Sequence, residues 1–169
     1  AAMGLLPSDR FVAVIPWSHS YGLSSLVMPA LRRGCLLIVP EDSGPWAAVD
    51  AARALSATVF PTVPVYLQTM ASLAAPPAWP ESLRTVISAG ASLQAATAVL
   101  FRDVFGRDIH VFYGASECGG IAYDREGGAA LRGTVGTPVD GVSIVLGDDG
   151  AVAVRSAAAG LRIVPETDG

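Results

Sequence analysis

Short apolar runs alternate with amphipathic stretches along the first two thirds of the chain. Each run is rich in β-branched or aromatic residues and ends at proline or at small polar residues, a pattern typical of strands buried on both faces of a sheet. These runs predict five strands, and we expect Pro61 to stop the third. They lie at residues 11–15, 36–39, 58–60, 83–87 and 109–112.

Stretches with helical spacing separate these runs. After a polar and aromatic turn at residues 17–22, apolar residues recur at helical spacing over residues 23–31, where Pro29 is expected to kink or split the helix and Gly34 to end it. The alternation of strands and helices predicts an α/β fold, with a mostly parallel sheet flanked by helices. Further helices are predicted at residues 46–55, 64–73 and 93–105.

The pattern changes near residue 123. Glycines and turns then separate short β-like runs, and Asp149-Gly150 between two of them is a strong hairpin signal. We therefore predict two units, an α/β unit at residues 1–122 and the start of a small β-rich subdomain at residues 123–169. The chain is expected to be a central piece of a larger protein.

Composition narrows the class of protein. Of the 169 residues, 51% are hydrophobic and 15% are charged, which favours a folded core, and the net charge of −4 argues against a nucleic-acid surface. No apolar run approaches the roughly 18 residues of a membrane span, and two cysteines are too few for a disulfide framework, so a reducing, cytoplasmic setting is expected. An uncovered apolar sheet face would favour a homo-oligomer.

Several catalytic classes are excluded by what the chain lacks. All eleven basic residues are arginine, so no mechanism that needs a lysine ammonium can be completed by this chain. Neither a dinucleotide-binding glycine motif nor a P-loop is present. There is no GxSxG elbow, and His110 falls inside a predicted strand, so Ser–His–Asp catalysis has no support.

Three turns follow predicted parallel strands and could meet at the carboxyl edge of the sheet, where α/β proteins bind ligands. In the last of them, Tyr113 offers a flat apolar face and Gly114 permits close approach to the backbone. Ser116 can donate to an anionic oxygen and Glu117 can hold a hard cation. These groups suit a nucleotide–magnesium site, although a strand end with a solvated carboxylate has the same composition.

The other two turns are also open to two interpretations. His19 could gate or line a substrate channel or act as a base, or it could be a histidine that is hydrogen-bonded within a turn. The turn at residues 88–92 consists of small residues. It could let a flat ring approach the backbone, or it could be a tight connection between a strand and a helix.

Four blocks together resemble the adenylate-forming superfamily, which contains acyl- and aryl-CoA synthetases, peptide-synthetase adenylation domains and luciferases. The blocks lie in the family's order and span nearly the whole chain. They read Pro-Trp-Ser-His-Ser-Tyr-Gly at residues 16–22, Val-Ile-Ser-Ala-Gly-Ala-Ser-Leu at 86–93, Tyr-Gly-Ala-Ser-Glu at 113–117 and Gly-Thr-Val-Gly-Thr-Pro at 133–138. The resemblance implies the fold of an acyl-CoA synthetase N-terminal subdomain.

The resemblance also implies a reaction and a set of roles. A carboxylic acid would react with ATP, in the presence of Mg²⁺, to give an acyl-adenylate, and the thiol of CoA would then take the acyl group. Ser116, in place of the more usual Thr, would contact the α-phosphate and Glu117 would bind Mg²⁺. Tyr113 would stack on adenine. The resemblance implies two further groups of contacts. Contacts with the nucleotide would be made by Ser88, Ala89, Gly90, Ala91 and Gly114, and contacts with the acid by His19, Tyr21 and Gly22.

Departures from the family's pattern limit what this chain can do. The lysine-bearing phosphate loop, the ribose-binding Asp and the domain with the catalytic Lys are expected to lie outside it. The terminal Glu-Thr-Asp-Gly at residues 166–169 has the wrong order for the ribose-binding motif, so Asp168 receives no role. We therefore expect the 169-residue chain alone to be inactive.

Two alternatives stay open beside a carboxylic acid:CoA ligase. The His-Ser-Tyr-Gly block favours an acid without an α-amino group, because amino-acid-activating relatives usually carry an Asp there. One alternative is an adenylation domain that loads a carrier protein. The other is a non-catalytic interaction module that retains the fold.

Overall fold

The computed structural model describes residues 3–159, in which nine strands form two sheets. The strands are β1 (Arg10–Val12), β2 (Leu36–Ile38), β3 (Val59–Thr62), β4 (Thr85–Ser88), β5 (Ile109–Ala115), β6 (Gly119–Tyr123), β7 (Thr137–Pro138), β8 (Ser143–Leu146) and β9 (Val152–Arg155). The helices are α1 (Ser20–Gly22), a π-helical turn (Leu23–Val27), α2 (Met28–Arg33), α3 (Pro45–Ala54), α4 (Pro64–Ala71), α5 (Ala95–Phe105) and a 3-10 helix (Ala129–Arg132).

The main sheet has seven strands in the order β2-β1-β3-β4-β5-β6-β7, and β8 pairs with β9 in a separate antiparallel sheet. The strands β1 to β5 are parallel, whereas β6 and β7 are antiparallel to their neighbours. The predicted fold class is therefore confirmed: a mostly parallel sheet is flanked by helices and is followed by a small β structure. Among the described helices, none is long and apolar enough to cross a bilayer.

The core lies on both faces of the sheet, because side chains alternate along each strand. One face packs against α3, α4 and α5, and the other packs against Tyr21 of α1 and Leu26 of the π-helical turn. Neighbouring residues of one strand therefore fall into different clusters. Val12, Phe60 and Val86 belong to the first cluster, and Phe11, Val59 and Ile87 belong to the second.

The prediction that Pro61 stops the third strand is wrong. β3 runs through Pro61 to Thr62, and Pro61 pairs with Ile87 of β4. On its other side β3 pairs with β1 only at Phe11 and Val59, so that ladder has already ended before Pro61. A proline, which has no amide hydrogen, can therefore be accommodated in this strand.

The predicted turn at residues 17–22 is also wrong in its second half, because the helix already begins at Ser20. A continuous helical path, which we call the first helical segment, runs from Ser20 to Arg33, and its π-helical turn ends at Val27, two residues before Pro29. A π-helical turn is wider than an α-helical turn and accommodates a residue without an amide hydrogen. It is the distortion that Pro29 was expected to cause. Gly34, with φ of +74°, ends the segment as predicted.

The segment 113–117 is not wholly a turn. β5 continues through Tyr113 and Gly114 to Ala115, and the chain then reverses so that β6 pairs with it in antiparallel fashion. A Cβ atom on Gly114 would lie 2.9 Å from the Gly119 carbonyl oxygen, so only glycine permits this approach of the two strands. Periodicity could not reveal the extension, because it depends on pairing with residues farther along the chain.

The predicted hairpin at residues 143–155 is present as β8 and β9. The predicted boundary between residues 122 and 123 falls inside β6, where Tyr123 is buried against the main core. The division into two units therefore stays a prediction. The Glu-Thr-Asp-Gly segment at residues 166–169 lies outside the described residues.

A buried carboxylate joins the amino ends of three strands, at the edge opposite the turns considered above. Arg84 Nη2 donates to both oxygens of Asp9, at 2.7 and 2.8 Å, and Thr58 Oγ1 donates to Asp9 Oδ1 at 2.7 Å. The Leu6 N–H donates to Asp9 Oδ2 at 2.7 Å. Burial raises the pKa of the Asp9 carboxyl, but the hydrogen bonds and the guanidinium charge outweigh burial and hold that pKa below its ordinary value.

Candidate functional site

The carboxyl ends of β1, β4 and β5 open onto one cavity of about 430 Å³, which we call the His19 cavity. The three turns that the sequence placed at this edge do converge. The cavity is lined by six of the predicted site residues, namely His19, Tyr21, Ala89, Gly90, Gly114 and Ser116.

His19 begins the first helical segment and borders the cavity. Its Nδ1 accepts a hydrogen bond of 3.1 Å from the Tyr21 N–H, as an N-cap residue does. A neutral imidazole in this arrangement carries its proton on Nε2. His19 is therefore both a histidine that is hydrogen-bonded within its turn, through Nδ1, and a residue that lines the cavity.

Tyr21 contributes a buried wall to the same cavity. Its hydroxyl donates to the Ile87 carbonyl oxygen at 3.4 Å, and its ring centroid lies 6.3 Å from that of Phe112. Burial strongly raises the pKa of the Tyr21 phenol, so this group stays neutral and serves as a hydrogen-bond donor. The neighbouring Gly22 packs beneath the turn, where a Cβ atom would lie 2.1 Å from the Pro16 carbonyl oxygen.

Ser116 links two of the converging segments. Its Oγ donates to Ser20 Oγ at 2.9 Å, which joins the turn after β5 to the start of the first helical segment. Both side chains are exposed, so the pair faces open space rather than the core. A hydroxyl held in this way is accessible to an anionic group of a ligand.

Tyr113 and Glu117 lie in a second concavity of about 600 Å³, which we call the Glu117 cavity. Successive side chains of a strand point to opposite sides, so Gly114 borders the His19 cavity while Tyr113, 38% exposed, borders the other. Ala115 and Ser116 line both. The predicted residues are therefore distributed over two spaces that meet at Ser116.

Two predicted residues of the small turn lie outside these linings. Ser88 is fully buried, and among the described residues its Oγ has no hydrogen-bond partner. The same is true of Thr62 Oγ1, on the residue paired with Ser88 across β3 and β4. Ala91 is exposed, so within the small turn Ala89 and Gly90 are the residues that line the His19 cavity.

The two spaces differ in charge. None of the described residues that line the His19 cavity is an Asp, Glu, Lys or Arg, whereas Glu117 brings a carboxylate to the second space. No group of three or more metal-ligating side chains occurs within residues 3–159. A single exposed carboxylate suits an Mg²⁺ ion that is held mainly by the phosphates of a ligand.

Several lining residues were not anticipated from the sequence. Leu23 and Met28 both border the His19 cavity. They are five residues apart, and the Met28 N–H donates to the Leu23 carbonyl across the π-helical turn, which brings them to one side. An α-helical pattern has no signal at a spacing of five, so only the observed turn reveals this pair. Gly119 and Gly120 were also missed, because β6 was not predicted, and Phe112 was assigned to a strand without a role in the site.

A family model described as "AMP-binding enzyme" matches residues 1–160. The chain is similar to the amide bond synthetase McbA from Marinactinospora thermotolerans, at 26% identity and a TM-score of 0.76, over 94% of this chain and 34% of that one. It is also similar to a benzoate CoA ligase from Burkholderia xenovorans LB400, at 23% identity and a TM-score of 0.78, over 94% and 35% of the two chains.

A third similar structure is the o-succinylbenzoate CoA synthetase from Bacillus subtilis in complex with its acyl-adenylate intermediate. The identity is 21% and the TM-score 0.75, over 89% of this chain and 31% of that one. The likeness to the two CoA ligases shows a shared fold. The chain spans about a third of the length of these three proteins. A comparison with curated protein sequences finds no significant match.

Proposed function

The chain belongs to the AMP-binding enzyme family, and from this premise we propose that the protein containing it is an ATP-dependent carboxylic acid:CoA ligase. One observation carries the proposal. An uncharged cavity and a carboxylate-bearing cavity meet at the Ser116 hydroxyl. An acid with an apolar body and a nucleotide with its metal could therefore react at their junction.

The reaction has two steps. In the first, a carboxylate oxygen of the acid attacks the α-phosphorus of ATP, and the bond from that phosphorus to the leaving pyrophosphate breaks. In the second, the sulfur of CoA attacks the acyl carbon. The bond from that carbon to AMP breaks, AMP leaves with the electron pair, and the thiol proton passes to solvent.

Residues of the Glu117 cavity would bind the nucleotide. Tyr113 offers an exposed aromatic face for adenine, and the adjacent Gly114 is itself exposed. Of the small turn, Ala89 and Gly90 would face the base where the two spaces meet, whereas the buried Ser88 would support the turn from behind and Ala91 lies outside both linings. The Ser116 hydroxyl would donate to the α-phosphate, on which charge develops during the first step.

Glu117 would hold Mg²⁺ together with the phosphates of ATP. The metal would neutralise phosphate charge and polarise the α-phosphorus. This assignment fits the chain's own residues, since one exposed carboxylate stands next to Ser116 and phosphate oxygens can supply further ligands.

The acid would enter the His19 cavity. Tyr21 and His19 would line its path, and Gly22 would act indirectly by allowing the turn to pack closely. The absence of charged side chains from the described lining favours an acid whose only ionic group is the reacting carboxylate.

The second step needs an acceptor for the acyl group. Two of the similar structures are CoA ligases and one is an amide bond synthetase, so CoA, a carrier-protein thiol and an amine should be compared directly. We favour CoA.

The free thiols Cys35 and Cys118 fit a reducing compartment, and we propose a cytoplasmic location.

The test is ATP–pyrophosphate exchange by the complete protein with Mg²⁺ and a panel of carboxylic acids, followed by addition of each acceptor. We expect exchange with at least one acid and thioester formation with CoA. The 169-residue chain alone, which has no lysine, should show no exchange. Failure of the complete protein to form an acyl-adenylate with any acid would contradict the proposal and favour a non-catalytic module.

A further inference from the structure

The carboxyl ends of β3 and β4 carry two hydroxyl groups that line neither of the two cavities. Thr62 and Ser88 are register partners across these strands, and both residues are fully buried. Among the residues that the structure describes, neither Thr62 Oγ1 nor Ser88 Oγ has a hydrogen-bond partner. A buried hydroxyl without a partner destabilises a fold, and nearly all buried polar groups in proteins bond to protein or to ordered water. Two such hydroxyls on paired residues point to one shared partner.

The two hydroxyls lie on the side of the sheet away from the His19 cavity. Phe60 and Val86, two residues earlier on the same strands, belong to the cluster that packs against α3, α4 and α5. Because side chains alternate along a strand, Thr62 and Ser88 face the same helices. Tyr21, which lines the His19 cavity, belongs to the cluster on the other face. The strands therefore separate the two hydroxyls from a ligand in that cavity.

The same strand ends support the small turn that faces the adenine base in the proposed function. The Ala89 N–H donates to the Thr62 carbonyl oxygen at 3.2 Å, so the pairing of β3 with β4 continues into the turn. Gly90 follows with φ of +84°, and a Cβ atom there would lie 3.5 Å from Val63 Cγ1. The turn thus rests on Thr62 and Val63, and the spacing of the two strand ends sets where Ala89 and Gly90 lie.

We propose that Thr62 and Ser88 bind one buried water molecule between β3 and β4, and that Thr62 is thereby a positioning residue for the small turn. Paired strands are about 4.8 Å apart, so one water can reach both hydroxyls. Each hydroxyl can donate and accept, and a buried water commonly makes about two to four hydrogen bonds. The positioning role rests on the proposed function, whereas the water site does not.

The water site is tested by a high-resolution crystal structure of the complete protein. We expect one ordered water within hydrogen-bond distance of both Thr62 Oγ1 and Ser88 Oγ. Thr62→Val replaces the hydroxyl by a methyl group of similar size and should lose this water, whereas Thr62→Ser should keep it. The absence of such a water from the natural protein, or a direct hydrogen bond between the two hydroxyls, would overturn the proposal.

The positioning role is tested by the kinetics of adenylate formation in the same variants. Thr62→Val should raise KM for ATP by about three- to tenfold, the effect of one hydrogen bond, and should change kcat less. Ser88→Ala should act in the same direction. The double variant should add little to either change, because each single loss already removes the shared water. A general loss of folded protein lowers the apparent kcat without changing KM, so KM distinguishes positioning from a folding defect.

Thr69→Val is the matched control. Thr69 is exposed on α4, and its hydroxyl donates to the Val65 carbonyl oxygen, so this variant should change neither the buried water nor KM for ATP. An unchanged KM in folded Thr62→Val or Ser88→Ala would overturn the positioning role. A complete protein that forms no adenylate with any acid contradicts the proposed function instead. The crystal structure still decides the water site in that case, so the two failures are distinguishable.

Discussion

Ser116 Oγ donates a hydrogen bond of 2.9 Å to Ser20 Oγ, across 96 positions of the chain. The bond joins the turn after β5 to the first residue of α1, next to the N-cap His19. The hydroxyl that we propose for the α-phosphate is therefore oriented by a protein partner before any ligand binds. Because a hydroxyl carries one proton, Ser116 can donate to the phosphate only when Ser20 Oγ donates to Ser116 Oγ in its place, so ligand binding would reverse the direction of this bond.

Ser116→Ala and Ser20→Ala remove the same hydrogen bond but should have different effects. Ser116→Ala should lower kcat for adenylate formation by about 10- to 100-fold, because it also removes the donor to the α-phosphate. Ser20→Ala should lower it by no more than about threefold. Steady-state pyrophosphate exchange measures both, and equal losses in the two variants would reduce Ser116 to a structural role.

Glu117→Ala should lower pyrophosphate exchange by about 100-fold or more, since it removes the carboxylate proposed for Mg²⁺. The side chain is exposed, so the melting temperature should hardly change. Glu81→Ala removes another exposed carboxylate, away from both cavities, and should leave exchange unchanged. Normal exchange by Glu117→Ala over a titration of Mg²⁺ would remove Glu117 from the metal role.

Gly22→Ala should destabilise the fold by about 3 kcal/mol, because its Cβ atom would overlap the backbone carbonyl of Pro16. Gly34→Ala is the matched control. Its Cβ would meet no atom within 4 Å, so its cost is the positive φ alone, about 1 kcal/mol. Urea denaturation measures both. A cost for Gly22→Ala no greater than for Gly34→Ala would contradict the close packing of the His19 turn.

Asp9→Asn should destabilise the protein by about 2 kcal/mol at pH 7, because Arg84 and Thr58 lose a charged acceptor. The pKa of Asp9 is lowered in the folded state, so the folded protein binds this proton less readily than the unfolded chain does. The contribution is therefore complete above about pH 4, and it is lost as pH falls through the folded-state pKa.

Urea denaturation of both proteins at pH 7 and pH 3 checks this expectation. The difference in free energy of unfolding between the natural protein and Asp9→Asn should shrink at pH 3. Pyrophosphate exchange at pH 7 should stay within about twofold in the variant, because Asp9 lies at the amino edge of the sheet. A difference that is constant with pH would contradict the charged role of Asp9.

Much of the fold could be predicted because its causes are local. A run such as Val86-Ile87 is apolar on every residue, so it predicts a strand covered on both faces, and Gly34 and Gly106 end helices through their own positive φ angles. Pro61 misled the prediction because its effect depends on which neighbour a strand still pairs with at that position.

The candidate site, like the fold, was predictable from the sequence where its causes are local. The sequence by itself determined which chemical groups follow the strands: the imidazole of His19, the small residues near Gly90, and the hydroxyl and carboxylate of Ser116 and Glu117. Those groups are consequences of residue identity and of their order along the chain. The predicted α/β pattern then implies that these groups lie at the carboxyl edge of the sheet, because the parallel strands all end there.

Only the tertiary structure decided how these groups are shared between two spaces. The strand β5 extends to Ala115 because β6 pairs with it, and side chains on alternate sides of that strand send Tyr113 and Gly114 to different cavities. The contact of Phe112 with Gly120 and the bond from Ser116 to Ser20 likewise join distant positions. Such contacts depend on packing of the whole chain, which local sequence patterns do not encode.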